Sequence, residues 1–308
     1  MNYLVTGGAG FIGSHIVEEL VNKGHQVKVI DNLSFGKIEN IKDFIDKIEF
    51  IEGDIRDLDL LKKEFENQDF ILHQAALKSV PRSFENPQEY QDVNVDGTLN
   101  VLKAAEICKV KKLVFASSSS VYGEPKVLPQ TEDLPTNPIS PYGKSKLEAE
   151  KLCLEFAKRL PLVILRYFNV FGPRQDPKSE YAAVIPKFIS LMLNDQKPII
   201  YGDGEQSRDF AYVKKIVAAN IKSCEESVSG EIINISGNET LTVNQLVEKI
   251  NNFLGKNIKP VYESARKGDV KHTKADLSKQ EKFLKLGSKY AFDEGLKETI
   301  EWFENAND

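Results

Sequence analysis

The sequence predicts an α/β protein: a doubly wound parallel sheet over residues 1–171, followed by a smaller mixed α/β lobe over 172–308. Three observations carry this. From Met1 to about Phe171, short apolar runs alternate with longer segments of helical periodicity. A glycine-rich turn, Gly7-Gly8-Ala9-Gly10-Phe11-Ile12-Gly13, sits between the first run and the first helical segment. Beyond Phe171 the alternation breaks up, and Pro173, Pro177, Pro186, Pro198, Gly202 and Gly204 punctuate shorter elements.

The strand candidates are residues 3–6, 27–30, 48–51, 70–73, 113–117 and 163–166. Apart from Lys28 in 27–30 and Glu49 in 48–51 they are mainly apolar rather than alternating, as a sheet covered by helices on both faces requires. A long helical stretch, roughly 87–109, separates the fourth from the fifth. In the second half, 213–226 and 243–254 read as helices, the latter N-capped by Thr242. Residues 232–235 read as a strand that rejoins the main sheet, so about 208–237 contributes to the first domain. With no repeat or flexible linker, the lobes are expected to pack around a cleft.

A formal net charge of -5 over 308 residues argues against non-specific nucleic-acid binding. An anionic substrate then needs locally placed basic groups. Cys108, Cys153 and Cys224 are odd in number and scattered, and His15, His25, His73 and His272 form no ligand pair, so neither disulfides nor a metal is expected. The chain opens on a strand pattern without a signal-peptide design, and no apolar run approaches the ~20 residues that span a bilayer. A cytoplasmic enzyme without membrane contact is the expectation.

Gly7, Gly10 and Gly13 lie where small residues let a pyrophosphate approach the start of the helix near Phe11. Asp31 ends the second strand, where an acidic side chain accepts the adenosine ribose hydroxyls and repels a 2′-phosphate; NAD is favoured over NADP. Asp54 ends the third strand, where it serves the cofactor or caps the following helix. His73-Gln74-Ala75-Ala76 ends the fourth with small residues, leaving space for a cofactor lying across the strand ends. Downstream of Ser118 comes Tyr142-Gly143-Lys144-Ser145-Lys146. Four residues apart, Tyr142 and Lys146 share a helix face, so the ammonium is expected to stabilise the phenolate and bring a base of pKa about 10 toward neutrality. Beside a nicotinamide, that pair deprotonates an alcohol.

These residues, with Asn94, Ser117 to Gly123, Arg166 to Phe171, Arg208-Asp209-Phe210 and Arg266 to Asp269, resemble the extended short-chain dehydrogenase/reductase family, and within it the UDP-hexose 4-epimerases. Gln74-Ala75-Ala76-Leu77, Ser79-Val80-Pro81-Arg82-Ser83, Gln175-Asp176-Pro177 and Tyr181-Ala182-Ala183-Val184-Ile185-Pro186-Lys187 look closest to bacterial UDP-N-acetylglucosamine 4-epimerases. The resemblance implies a Rossmann fold, bound NAD, a UDP-sugar substrate and a homodimer built on helices near 87–109 and 141–159.

By that resemblance Tyr142 is the general base and acid, Lys146 binds the nicotinamide ribose and lowers the tyrosine pKa, and Ser118 hydrogen-bonds the sugar O4. Asn94 supports the lysine and cofactor, and Lys78 lies near the pyrophosphate. Phe11, Ile12, Asn32, Ile55 and Tyr167 complete the implied cofactor contacts. Asn169, Arg208, Arg266 and Asp269 match residues that hold UDP, and Ser119, Ala183, Val184 and Tyr201 complete the implied substrate site. Thr273 falls where relatives that reject N-acetyl sugars carry tyrosine, so room for an acetamido group is expected. Sibling 4,6-dehydratases carry Thr-Asp-Glu in the loop where this chain has Ser118-Ser119-Ser120, and decarboxylases a glutamate. Without those acid and base groups, return of the hydride to C4 is the expected route. The alternatives are a UDP-glucuronate 4-epimerase or decarboxylase, and a dinucleotide-sensing protein that has lost catalysis.

Overall fold

The computed structural model describes residues 1–177, 183–265 and 270–307. In chain order the strands are β1 (Asn2–Thr6), β2 (Gln26–Asp31), β3 (Glu49–Glu52), β4 (Phe70–His73), β5 (Lys112–Ser118), β6 (Leu162–Tyr167), β7 (Val170–Phe171), β8 (Ile199–Tyr201), β9 (Ser207–Tyr212), β10 (Glu231–Ile235), β11 (Glu239–Thr242) and β12 (Val261–Glu263). The helices are α1 (Phe11–Asn22), α2 (Leu58–Phe65), α3 (Val80–Glu85), α4 (Pro87–Tyr90), α5 (Gly97–Ile107), α6 (Pro141–Phe156), α7 (Val184–Leu193), α8 (Val213–Glu225), α9 (Val243–Leu254), α10 (Ser278–Leu284) and α11 (Phe292–Asn307).

Seven parallel strands form the main sheet in the order β10-β6-β5-β4-β1-β2-β3. The doubly wound fold is as the sequence predicts. Successive side chains point to opposite faces of a strand, and here both faces are buried. Tyr3 and Val5, Val114 and Ala116, and Val163 and Leu165 meet α1 and α8; Leu4, Leu113 and Phe115, and Leu162 and Ile164 meet α2, α5 and α6. That two-sided burial is why these runs show no polar alternation. The chain direction across the sheet reverses between β1 and β4, and such a switch point opens a crevice at the carboxyl ends of the strands.

The long helix expected over 87–109 is interrupted. A π-helical turn (Gln91–Asp96) separates α4 from α5. Its cause is tertiary: Asn94 is turned inward and fully used, its Oδ1 accepting from Leu77 N at 2.8 Å and its Nδ2 donating to Leu77 O and Ser145 Oγ, each at 3.0 Å.

Sheets β11-β9-β7 and β12-β8 build the second lobe around Phe171, Phe210, Tyr212 and Phe292. Thr242 caps α9 as expected, in a reciprocal box with Gln245. Helix α8 lies against α1, and β10 pairs with β6, aligning Ile233 with Leu165.

Candidate active site

The turn after β1 places the cleft. A Cβ on Gly13 would lie 2.1 Å from Gly7 O, and one on Gly7 would lie 2.7 Å from Ala75 N, so the loop can fold against itself and against the end of β4 only without side chains. Gly10 then starts α1 with no side-chain cap, leaving the helix dipole and its first N–H groups aimed at the cleft. Gly7, Gly10, Phe11, Ile12 and Gly13 line it, with Asp31, Asn32, Asp54, Ile55, Gln74, Ala75, Ala76, Lys78, Tyr142, Lys146 and Tyr167. Uncapped helix start, acidic strand end and the small residues Ala75 and Ala76 just after β4 fit a dinucleotide.

Asp31 accepts from Ala9 N and Leu33 N, both at 2.9 Å. Burial raises its carboxyl above the ordinary range, and the backbone donors pull it back. Asp54 is not the helix cap; Asp57 caps α2. Instead Arg56 grips both Asp54 oxygens, at 2.9 and 2.7 Å, while Asn32 Nδ2 donates at 2.9 Å. That guanidinium holds the carboxyl down at about 2. Gln74, Tyr167 and Asn220 close a triangle: Gln74 Nε2 donates to Asn220 Oδ1 (3.0 Å), Asn220 Nδ2 to Tyr167 Oη (2.7 Å), and Tyr167 Oη to Gln74 Oε1 (3.2 Å). Lys78 stands open to the cleft, its ammonium lowered by desolvation from the surrounding walls.

The catalytic candidates come together where α6 crosses β5. Ser140 accepts from Gly143 N at 3.1 Å and Pro141 occupies the first turn, so the helix begins just ahead of Tyr142. Ser118 ends β5 close enough to Tyr142 to pull its phenol down, while its own Oγ bonds Ser120 Oγ and Ser120 N, each at 3.1 Å. One turn further along α6, Lys146 Nζ donates to Ala116 O at 2.8 Å and lies 5.0 Å from the centre of the Phe115 ring. One turn beyond that, Glu150 Oε1 accepts from Ser117 Oγ at 2.5 Å. Three successive turns of α6 are thus tied to three consecutive residues of β5. Glu150 also takes Arg166, Nε to Oε1 at 2.9 Å and Nη2 to Oε2 at 2.8 Å, with both side chains under 4% exposed.

The expected lowering of the Tyr142 phenol by Lys146 has burial working against it. Burial pushes the phenol above 10, offset only by the Ser118 hydroxyl. Burial also lowers the Lys146 ammonium to about 8, against the raising pull of Cys153 and Glu150. Lys146 spends one of its three N–H donors on the Ala116 carbonyl, and desolvation is the largest influence on the tyrosine.

A second cavity, about 440 Å³, opens toward the second lobe and is lined by Asn169, Ala183, Val184, Lys187, Tyr201 and Arg208. Asn169 Nδ2 donates to Asp209 O at 2.9 Å and to Thr273 Oγ1 at 3.4 Å. Thr273 therefore stands behind the wall, its hydroxyl also accepting from Asp209 N at 3.2 Å. Arg208 is steadied by the Ser207 and Lys271 carbonyls. Ala183 begins α7 with no side-chain cap. Ser119 follows Ser118 in a 3-10 turn. Arg266, Asp269, Tyr181 and Ala182 lie outside the described residues.

A sequence model of the NAD dependent epimerase/dehydratase family matches residues 3–236. The chain belongs to this family. A putative UDP-glucose 4-epimerase of Methanocaldococcus jannaschii is 44% identical over 99% of both chains. The UDP-N-acetylglucosamine 4-epimerase from Methanobrevibacter ruminantium, solved in complex with UDP-N-acetylmuramic acid, superposes with a TM-score of 0.94 at 45% identity, covering 99% of this chain and 98% of that one. The Thermotoga maritima UDP-glucose 4-epimerase, solved with UDP-glucose, gives 0.95 at 39% identity over the whole of both chains.

Within this NAD-dependent epimerase/dehydratase family enzyme, several residues escaped the sequence reading. Glu150 continues the Tyr142 and Lys146 stripe at helical spacing, and Arg166 is a charge ending an otherwise apolar strand. Both signals were present and call for a buried partner. Asn220, Lys187 and Arg56 had no comparable local signature.

Proposed function

We propose that the protein is a UDP-hexose 4-epimerase that interconverts UDP-GlcNAc with UDP-GalNAc, and UDP-glucose with UDP-galactose, through a 4-keto sugar. The observation that carries this reading is Tyr142 and Lys146 on α6 beside the end of β5, where Ser118 is followed by Ser119 and Ser120 with no carboxylate at either position. NAD, when bound, supplies the acceptor for the C4 hydride and returns it. Tyr142 removes the O4 proton as the C4 carbonyl forms and gives it back on reduction, while Ser118 aligns O4. Hydroxyls at those two positions supply neither the acid nor the base that elimination of water across C5 and C6 needs.

The second cavity supports a nucleotide diphosphate. The uncapped start of α7 and the cations Arg208 and Lys187 face one space with Asn169, a donor set suited to phosphate oxygens. The M. ruminantium relative's name supports an N-acetyl sugar. The exposed Ile107 on α5 and Leu154 on α6 support a homodimer through those helices. Among the described residues no helix is long and apolar enough to cross a membrane. Residues 1–171, with parts of 208–237, serve as the NAD domain in this reading, and 172–308 mainly bind the UDP-sugar.

Proton NMR tests it. Purified protein, with and without added NAD, is incubated separately with UDP-GlcNAc, UDP-glucose and UDP-glucuronate. New galacto-configured anomeric and H4 signals from the first two are expected. Conversion of UDP-glucuronate alone replaces the hexose assignment, and loss of carbon dioxide identifies a decarboxylase. Silence on all three overturns the reading in favour of a dinucleotide sensor.

A further inference from the structure

The open face of the cofactor cleft is crossed by side chains to which neither the sequence motifs nor the proposed chemistry gives a role. Strands β2 and β4 flank β1 in the sheet, so any link from the loop after β2 to the helix after β4 must pass over the glycine turn that follows β1. Such a link exists. Phe35, on the loop after β2, lies under the Arg82 guanidinium of α3, 5.1 Å from ring centroid to charge. Arg82 Nη2 in turn donates to both carboxylate oxygens of Glu89 on α4, at 3.2 and 3.1 Å. Phe35 and Glu89 both line the cleft.

The Phe35 loop is anchored on its other side too. Lys37 N and Asn40 Nδ2 donate to Ala9 O in the glycine turn, at 3.0 and 2.9 Å. Lys37 Nζ reaches Asp176 Oδ2 at 2.8 Å, across to the second lobe. The Phe35 side chain is 51% exposed and belongs to no core cluster, so packing of the fold does not account for an aromatic there. A stacked guanidinium over an aromatic face is a specific, directional contact.

We propose that Phe35, Arg82 and Glu89 form a strap across the adenosine end of the cleft that sets how long the dinucleotide stays bound. The strap must part for exchange. This goes beyond the catalytic reading and stands whichever UDP-sugar is turned over, because it rests only on dinucleotide binding at the glycine turn.

The test measures release. Protein loaded with NADH is mixed with excess NAD, and the loss of bound-NADH fluorescence is followed. Phe35→Ala and Arg82→Gln are each expected to release NADH about tenfold faster than wild type. The double variant is expected to be no faster than the quicker single, because both changes break one contact. Phe84→Ala removes another aromatic of α3, 60% exposed and outside the cleft lining; it is expected to leave release unchanged. Rates within twofold of wild type in both strap variants overturn the proposal, as does equal acceleration by Phe84→Ala. UDP-sugar turnover plays no part in this measurement, so the release rates separate the strap from the catalytic reading even in an inactive enzyme.

Discussion

Replacing Glu150 by Gln removes one half of a buried ion pair and leaves the Arg166 guanidinium with a neutral amide. Among the described residues Arg166 keeps the Glu132 carbonyl, at 3.2 Å, and the Tyr122 side chain, its ring 4.7 Å away, but no counter-charge. Breaking a buried pair from one side costs about 3–5 kcal/mol, mostly the uncompensated charge. With an unfolding entropy of about 2.1 cal/mol/K per residue across 308 residues, that is a fall in Tm of roughly 6 °C. Restoring neutrality with Glu150→Gln/Arg166→Met should recover most of it, to within about 2 kcal/mol of wild type. A catalytic effect accompanies the loss: the Glu150 charge holds the Lys146 ammonium up against burial, so the single variant should lose activity at lower pH on the alkaline side. The assays are calorimetric unfolding and a kcat–pH profile. A single variant within about 1 kcal/mol of wild type, or a double variant less stable than the single, would refute the argument.

Tyr142→Phe should keep the fold and the bound dinucleotide yet lower kcat by about 10²–10⁴, read by NMR turnover together with NAD content; wild-type turnover removes Tyr142 as the base. Thr273→Tyr displaces the hydroxyl that holds Asn169 and Asp209 N and should reduce activity on UDP-GlcNAc at least about tenfold more than on UDP-glucose, with equal losses in parallel progress curves ending that role. Stability should decline below pH 6.5. His73 is lowered to about 3 and His15 to about 4, each chiefly by burial, so near pH 5 the unfolded chain binds two protons that the native state does not. The slope is about 2.7 kcal/mol per pH unit, stability falling as pH falls; urea titrations at pH 5 and 6 measure it, and His73→Gln should halve it.

How much of this was readable beforehand depends on whether the constraint was local. The strands declared themselves because burial on both faces leaves no polar position, as in Leu162-Val163-Ile164-Leu165. Tyr142 and Lys146 were visible because one helix face fixes their relation, and Thr242 because a cap lies next to the helix it starts. The break at Gln91–Asp96 was not, since nothing in that segment reports that Asn94 must reach Leu77 and Ser145. The Tyr142 environment was hidden for a related reason: spacing shows that the ammonium is near, but only the packed structure shows the burial that pushes the phenol up and the Ala116 carbonyl that Lys146 also reaches. Phe35 and Arg82 lie 47 residues apart in the chain and meet only because two loops leave adjacent ends of one sheet.

Strand β10 has a consequence for how the molecule comes into being. It completes the main sheet beside β6 only after the chain has travelled through β7, β8, β9, α7 and α8. During synthesis the outer rim of β6, with its unpaired N–H and C=O groups, therefore stays uncovered until residue 231 has emerged, and a bare parallel rim invites pairing with another nascent chain. A fragment ending at 171 would carry that rim permanently, because the strand that covers it comes from residues 231–235, some sixty positions further along the chain.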